Sequence, residues 1–226
     1  MICHHYKCIF IHIPKTAGQS IEHVFLNLLG LTWETREPLL LRTNNNKKLG
    51  PPRLAHLKAT EYLEYKYISE ELFNSYYKFT FVRNPWSRLV SFYNYRKFYR
   101  IFSFKYFTMK ILKDMLWKHN NWFTAQQSEF IQDNSGRIIV DYVGKFENLQ
   151  TDFNTICDNI NVENIELPHI NKSKISNPVL SFIKIKERPN KHYSEYYDTE
   201  TKEFVEQIYK NDIEKFNYHF EEKLHK

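Results

Sequence analysis

The stretch FIHIPKTAGQSIEHVF, residues 10–25, carries the decision about the fold. Before it and through its start, Cys8, Ile9, Phe10, Ile11 and Ile13 make a short apolar run bounded by Pro14, which predicts a buried strand over residues 7–13. After it, Ile21, Val24, Phe25, Leu28 and Leu29 recur at helical spacing, which predicts a helix from Gln19 to about Leu29, with Gly30 as its stop. A strand that turns at once into a helix leaves backbone N–H groups unpaired at the positive end of the helix dipole, and that is an anion site. Lys15 adds a full charge, and Gly18 allows the main chain to approach a ligand. Thr16, Ala17, Gln19 and Ser20 complete the turn, and the side chains of Thr16, Gln19 and Ser20 can donate hydrogen bonds.

Working outward, YKFTFV at 77–82 alternates aromatic and β-branched residues and reads as a second strand. It ends in Arg83-Asn84-Pro85, and Pro85 suits the first turn of a helix that runs to about Tyr99. Arg83 leaves the strand end, and Ser91 follows two helical turns later. A guanidinium grips phosphate through two parallel bonds. Two such turns at the carboxyl edge of one parallel sheet suit a ligand with phosphates at two separated places.

The rest of the chain repeats the alternation. The segment RTNNNKKLGPPR at 42–53 is a polar loop. Residues 59–66 and 69–76 read as short helices, the second started by Ser69. Residues 101–125 are aromatic-rich and helical, 138–143 a strand, and 147–160 a helix. Asp198 or Thr199 caps a last helix with Phe204, Val205, Ile208, Tyr209, Ile213 and Phe216 inward. This pattern predicts one α/β domain over residues 1–226, a central parallel sheet flanked by helices.

Composition narrows the function classes. With 42% apolar and 17% aromatic residues in 226, the chain can fill a core, which excludes disorder. No apolar run approaches the ~20 residues of a membrane span. The first strand begins too early for a secretory signal to precede it, so a soluble cytoplasmic protein is expected. Cys3, Cys8 and Cys157 lack metal-ligand spacing and read as reduced thiols. The net charge of +6 favours anionic partners, but no recognition helix or basic stripe indicates nucleic acid.

A kinase is the obvious rival reading of the first turn. A Walker A loop is G-x-x-x-x-G-K-[ST], with the hydroxyl beside the Lys holding magnesium. Here Lys15 precedes Gly18, no Gly-Lys-Ser/Thr occurs, and no strand-terminal acid follows to bind a metal. A non-catalytic nucleotide- or glycan-binding protein remains a third reading.

At these residues a resemblance enters. HIPKTAGQS (12–20) resembles the 5′-phosphosulfate loop of the PAPS-dependent sulfotransferases, in particular the family-2 carbohydrate group, and FVRNPWSRLVSFY (81–93) resembles their 3′-phosphate segment. VGKFENL (143–149), LPHINKS (167–173) and the ending from His192 to Phe220 fall in the family's order; the family usually has Thr at the position of Gln19. The resemblance implies a P-loop-like three-layer fold and 3′-phosphoadenosine 5′-phosphosulfate (PAPS) as sulfuryl donor. It also implies adenosine 3′,5′-bisphosphate as product, a saccharide or glycoconjugate acceptor, and no metal. Lys15 would stabilise charge on the leaving oxygen while residues 15–20 hold the 5′ end. Arg83 and Ser91 would hold the 3′-phosphate, and Lys172 and Ser173 would close over the nucleotide. His56 stands near the place of the family's catalytic histidine and is the expected general base; His12 and His169 are the other candidates. Lys58 reads as a solvated surface lysine, Arg88 as a packing residue, and Trp86, Trp117, Trp122 and Phe123 as core.

Overall fold

The structure is a computed structural model that describes residues 1–117, 122–163, 165–168 and 191–223. Along the chain, β1 (Ile2–Cys3) and β2 (Cys8–Ile11) lead into α1 (Gly18–Leu28). α2 (Glu61–Glu64) and α3 (Glu70–Ser75) precede β3 (Tyr77–Val82), and α4 (Pro85–Tyr95) follows it. α5 (Phe104–Tyr106) and α6 (Lys113–Trp117) flank a π-helical turn at Phe107–Leu112. Then come β4 (Tyr142–Lys145), α7 (Leu149–Asn159), α8 (Thr199–Ile208) and α9 (Lys210–Lys215). No helix among the described residues is long and apolar enough to cross a membrane.

The chain divides into two compact units. Met1–Arg83 with Gln126–Ile170 form the first, and Asn84–Ala125 with Asn171–Lys226 the second. The first holds the sheet, in the order β1-β2-β3-β4. β2 pairs β3 in parallel with Ile11 opposite Thr80, and β3 pairs β4 in parallel with Val82 opposite Lys145. The parallel core predicted from the alternation is therefore present, flanked by helices. The sheet is mixed because β1 runs antiparallel to β2, Cys3 facing Cys8. Two residues are too few to leave a periodicity.

The first unit's core joins the sheet to α1 and α7. Phe10, Phe79 and Phe81 bury their rings against Ile21, Val24 and Phe25 from α1 and Phe153, Ile156 and Cys157 from α7. Each such ring contributes about 1.5–3 kcal/mol of burial. All three cysteines are free and buried. In the second unit, Trp86, Leu89, Phe92 and Tyr93 of α4 pack with Phe104, Phe107, Val205 and Tyr209. Arg88 is buried there and donates to the Ala125 and Phe123 carbonyls, the packing role expected of it. Asp198 caps α8 by accepting from the Thr201 amide.

The strand predicted at 138–143 lies further on, at Tyr142–Lys145. Asp133 accepts hydrogen bonds from the Ser135 and Arg137 amides and so closes a turn at 133–137, after which Ile138 forms an isolated bridge with Gln132. Asp141 accepts from the Lys78 amide, and regular pairing with β3 starts at the next residue. A local carboxylate outcompetes the sheet over that apolar stretch.

Candidate functional site

Both turns predicted to bind an anion leave the same edge of the sheet in the first unit. β2 ends at Ile11, so His12 sits one residue past the strand rather than within it. Thr16 donates its hydroxyl to the Ile13 carbonyl at 2.8 Å and closes the turn from inside. Lys15 and Ala17 both have left-handed backbones, with φ of 72° and 69°. For residues with a β-carbon this costs about 1–2 kcal/mol each, and such strain collects where function demands a particular backbone. Ala17 is the N-cap of α1 and provides no side-chain hydrogen bond to the first turn. An eleven-residue helix thus opens without a side-chain cap, with a half-buried lysine three residues before it. That is the donor set an anion requires.

Two of the predicted donors are already engaged. Besides Thr16, Ser20 donates its hydroxyl to the Pro168 carbonyl at 2.8 Å. Gln19 is half-buried at the start of α1. Gly18 is small for a reason the sequence did not reveal. A β-carbon there would sit 2.1 Å from Cδ2 and Nε2 of the His12 ring, so the ring lies directly on the glycine's main chain.

The second turn meets the first. Gln127, fully buried, accepts from the Arg83 amide at 2.8 Å and donates to the Arg83 carbonyl at 2.8 Å, which fixes that backbone from both sides. The Arg83 guanidinium lies over the Phe146 ring, 4.0 Å from its centroid, and its Nη1 donates to the Lys15 carbonyl at 3.4 Å. The register explains the meeting: Val82 pairs with Lys145, so the next residues, Arg83 and Phe146, leave the sheet side by side. A guanidinium stacked on an aromatic face bonds through its N–H edge, the geometry that phosphate oxygens accept.

Behind the first turn lies a buried cluster. His12 donates from Nδ1 to the Glu22 carboxylate at 2.6 Å, with both side chains buried. The His56 ring stands 4.3 Å from the His12 ring, centroid to centroid. His56 donates from Nδ1 to the His12 main-chain carbonyl at 2.9 Å. A neutral ring that spends its Nδ1 proton this way carries its lone pair on Nε2. Burial, and next the electrostatic influence of the neighbouring His12 ring, hold His56 well below the usual imidazole range, so the ring is neutral at neutral pH.

The described first unit therefore unites residues 15–20, Arg83, His12 and His56. Ser91 belongs to the second unit, half-buried on α4. Lys172, Ser173 and His169 lie outside the described residues, as does the Trp117 side chain. Lys58 is half-buried and pairs with Glu129 at 3.1 Å. Glu22, Gln127 and Phe146 were not singled out from the sequence. Glu22 did leave a signal: it is an acid on the inner face of α1, between Ile21 and Phe25.

The Sulfotransferase family model matches residues 1–219, and no curated protein and no solved structure matches the chain. The match covers nearly the whole sequence and agrees with the resemblance read from the motifs. The chain belongs to the sulfotransferase family.

Proposed function

We propose that this sulfotransferase-family chain moves a sulfuryl group from PAPS to a hydroxyl of a saccharide or glycoconjugate, in line, without a metal, as a single catalytic domain. The observation that carries the reading is the meeting of the two cationic turns. The Arg83 guanidinium reaches the Lys15 carbonyl at the carboxyl edge of neighbouring parallel strands. Residues 15–20 would hold the 5′-phosphosulfate, with the α1 amides and Lys15 opposing the charge that grows on the leaving oxygen. Arg83 and Ser91 would hold the 3′-phosphate, and Lys172 and Ser173 would close over the nucleotide.

His56 would act as general base. As the acceptor oxygen bonds to sulfur and the bond from sulfur to the phosphate oxygen breaks, the acceptor's proton passes to His56 Nε2, and adenosine 3′,5′-bisphosphate leaves. The hydrogen bond to the His12 carbonyl supports this role because it selects the tautomer that can accept at Nε2.

A thermal-shift comparison of adenosine 3′,5′-bisphosphate with magnesium ATP, followed by labelled-sulfuryl transfer to glycan acceptors, tests the reading. Stabilisation by the bisphosphate and transfer that is lost in His56→Ala are expected. Stabilisation by magnesium ATP alone would indicate a kinase. Tight bisphosphate binding without transfer to any acceptor would indicate a binding protein.

A further inference from the structure

We propose that Glu22 is a positioning residue for the transfer, acting through His12 on the base His56; this rests on the reading of His56 given above. Glu22 is buried on the inner face of α1, one turn past the amides of the anion site. A carboxylate in such a place needs a partner, and its partner is His12 Nδ1 at 2.6 Å. The His12 ring is held on every side that the structure defines. Glu22 grips its Nδ1, Phe10 stacks on it at 5.5 Å between centroids, and its opposite edge rests on Gly18. With the ring pinned, the His12 main chain is pinned, and its carbonyl is the group that orients His56. The chain of contact is continuous: carboxylate, imidazole, carbonyl, imidazole.

The same arrangement has a second consequence at the moment of reaction. When His56 takes a proton, a positive ring forms 4.3 Å from the His12 ring, in a buried place where charge is poorly solvated. The Glu22 carboxylate directly behind His12 is the counter-charge to that ring. Gly18 ties the device to the donor loop, since the His12 ring occupies the space where any side chain at position 18 would stand. Helix α1 thus presents its amides to the donor and its acid to the base, from consecutive turns.

The test is Glu22→Gln, which keeps the size and a hydrogen-bond acceptor but removes the charge. Expected are a kcat about 10- to 100-fold lower, the range typical when a partner one residue removed from the working group is lost, and an unchanged KM for PAPS. Glu22→Asp, which keeps the charge, recovers part of the rate. In the His56→Ala background, Glu22→Gln costs nothing further, because residues acting as one unit are not additive. Binding of adenosine 3′,5′-bisphosphate to each variant reports that the fold and donor loop are intact. A parental kcat in Glu22→Gln overturns the proposal. So does a loss confined to PAPS binding, or an undiminished effect of Glu22→Gln without His56. If His56→Ala itself turns over at the parental rate, the base reading fails, whatever Glu22 does.

Discussion

Gly18→Ala should damage this protein through His12 rather than through its own backbone. Gly18 has no left-handed φ, and Ala is ordinarily the better residue inside a helix, by roughly 0.5–1 kcal/mol. A β-carbon at position 18 would, however, lie 2.1 Å from two atoms of the His12 ring and 2.5 Å from a third. Ordinary contact is roughly 3.5–4 Å, so the ring must retreat by about 1.5 Å. It has little room, with Glu22 at 2.6 Å on one edge and the Phe10 and His56 rings near its faces. Overpacking alone costs about 1–3 kcal/mol, and loosening the buried His12–Glu22 hydrogen bond adds to it. A net loss of about 3 kcal/mol follows, a fall in Tm of about 6–12 °C for a chain of this size. Calorimetric or urea melting of Gly18→Ala, His12→Ala and the double variant measures the coupling. In the His12→Ala background the added methyl should be neutral or mildly stabilising, because the clashing ring is gone. Equal destabilisation by Gly18→Ala with and without the His12 ring would refute this reasoning. In that case, the glycine would be required for its backbone or for a ligand, as the sequence alone suggested.

Three further outcomes follow from the same geometry. Ala17→Gly relieves a left-handed residue at the N-cap of α1 and should stabilise the chain by up to about 1 kcal/mol in urea melting. Gln127→Leu leaves the amide and carbonyl of Arg83 without the buried groups that now bind them, and should destabilise by about 2–4 kcal/mol while weakening nucleotide binding. His56 has its folded pKa depressed, so between that lowered value and the unfolded value near 6.5 the unfolded chain binds more protons. Its contribution to stability is therefore whole above about pH 6.5 and is lost as pH falls toward the folded pKa. Melting curves of His56→Gln should show a flatter decline over that acid window.

The parts of this protein that were legible in its sequence are those decided by neighbours in the chain. β3 occupies its predicted residues, and α1 begins and ends within one residue of its predicted bounds, because alternation, helical spacing and Pro85 are local signals. Ser69 caps α3 as its residue type demands. The short edge strand β1 and the displaced β4 escaped, since each depends on a partner: one on pairing across a turn, the other on Asp133 and Asp141 competing for backbone. The same division runs through the site. Lys15 and Arg83 announce themselves beside Pro and Gly at strand ends. Gln127, which clamps Arg83 from 44 positions away, carries no local sign of that role. Phe146 becomes meaningful only once the β3–β4 register is known. His12, named as a candidate base, is buried beside the loop; its carboxylate partner ten residues on could be recognised only by asking why an acid faces inward.

The central claim is that Arg83 recognises the phosphate at one end of an adenine nucleotide whose other end lies at Lys15. Calorimetric titration with adenosine 3′,5′-bisphosphate and with adenosine 5′-monophosphate, on the parent and on Arg83→Ala, tests it directly. A bidentate charged contact worth about 1.5–3 kcal/mol gives the parent a preference of roughly 10- to 100-fold for the bisphosphate. Arg83→Ala should abolish that preference and leave affinity for the monophosphate nearly unchanged. A variant that still prefers the bisphosphate by the parental factor would contradict the account.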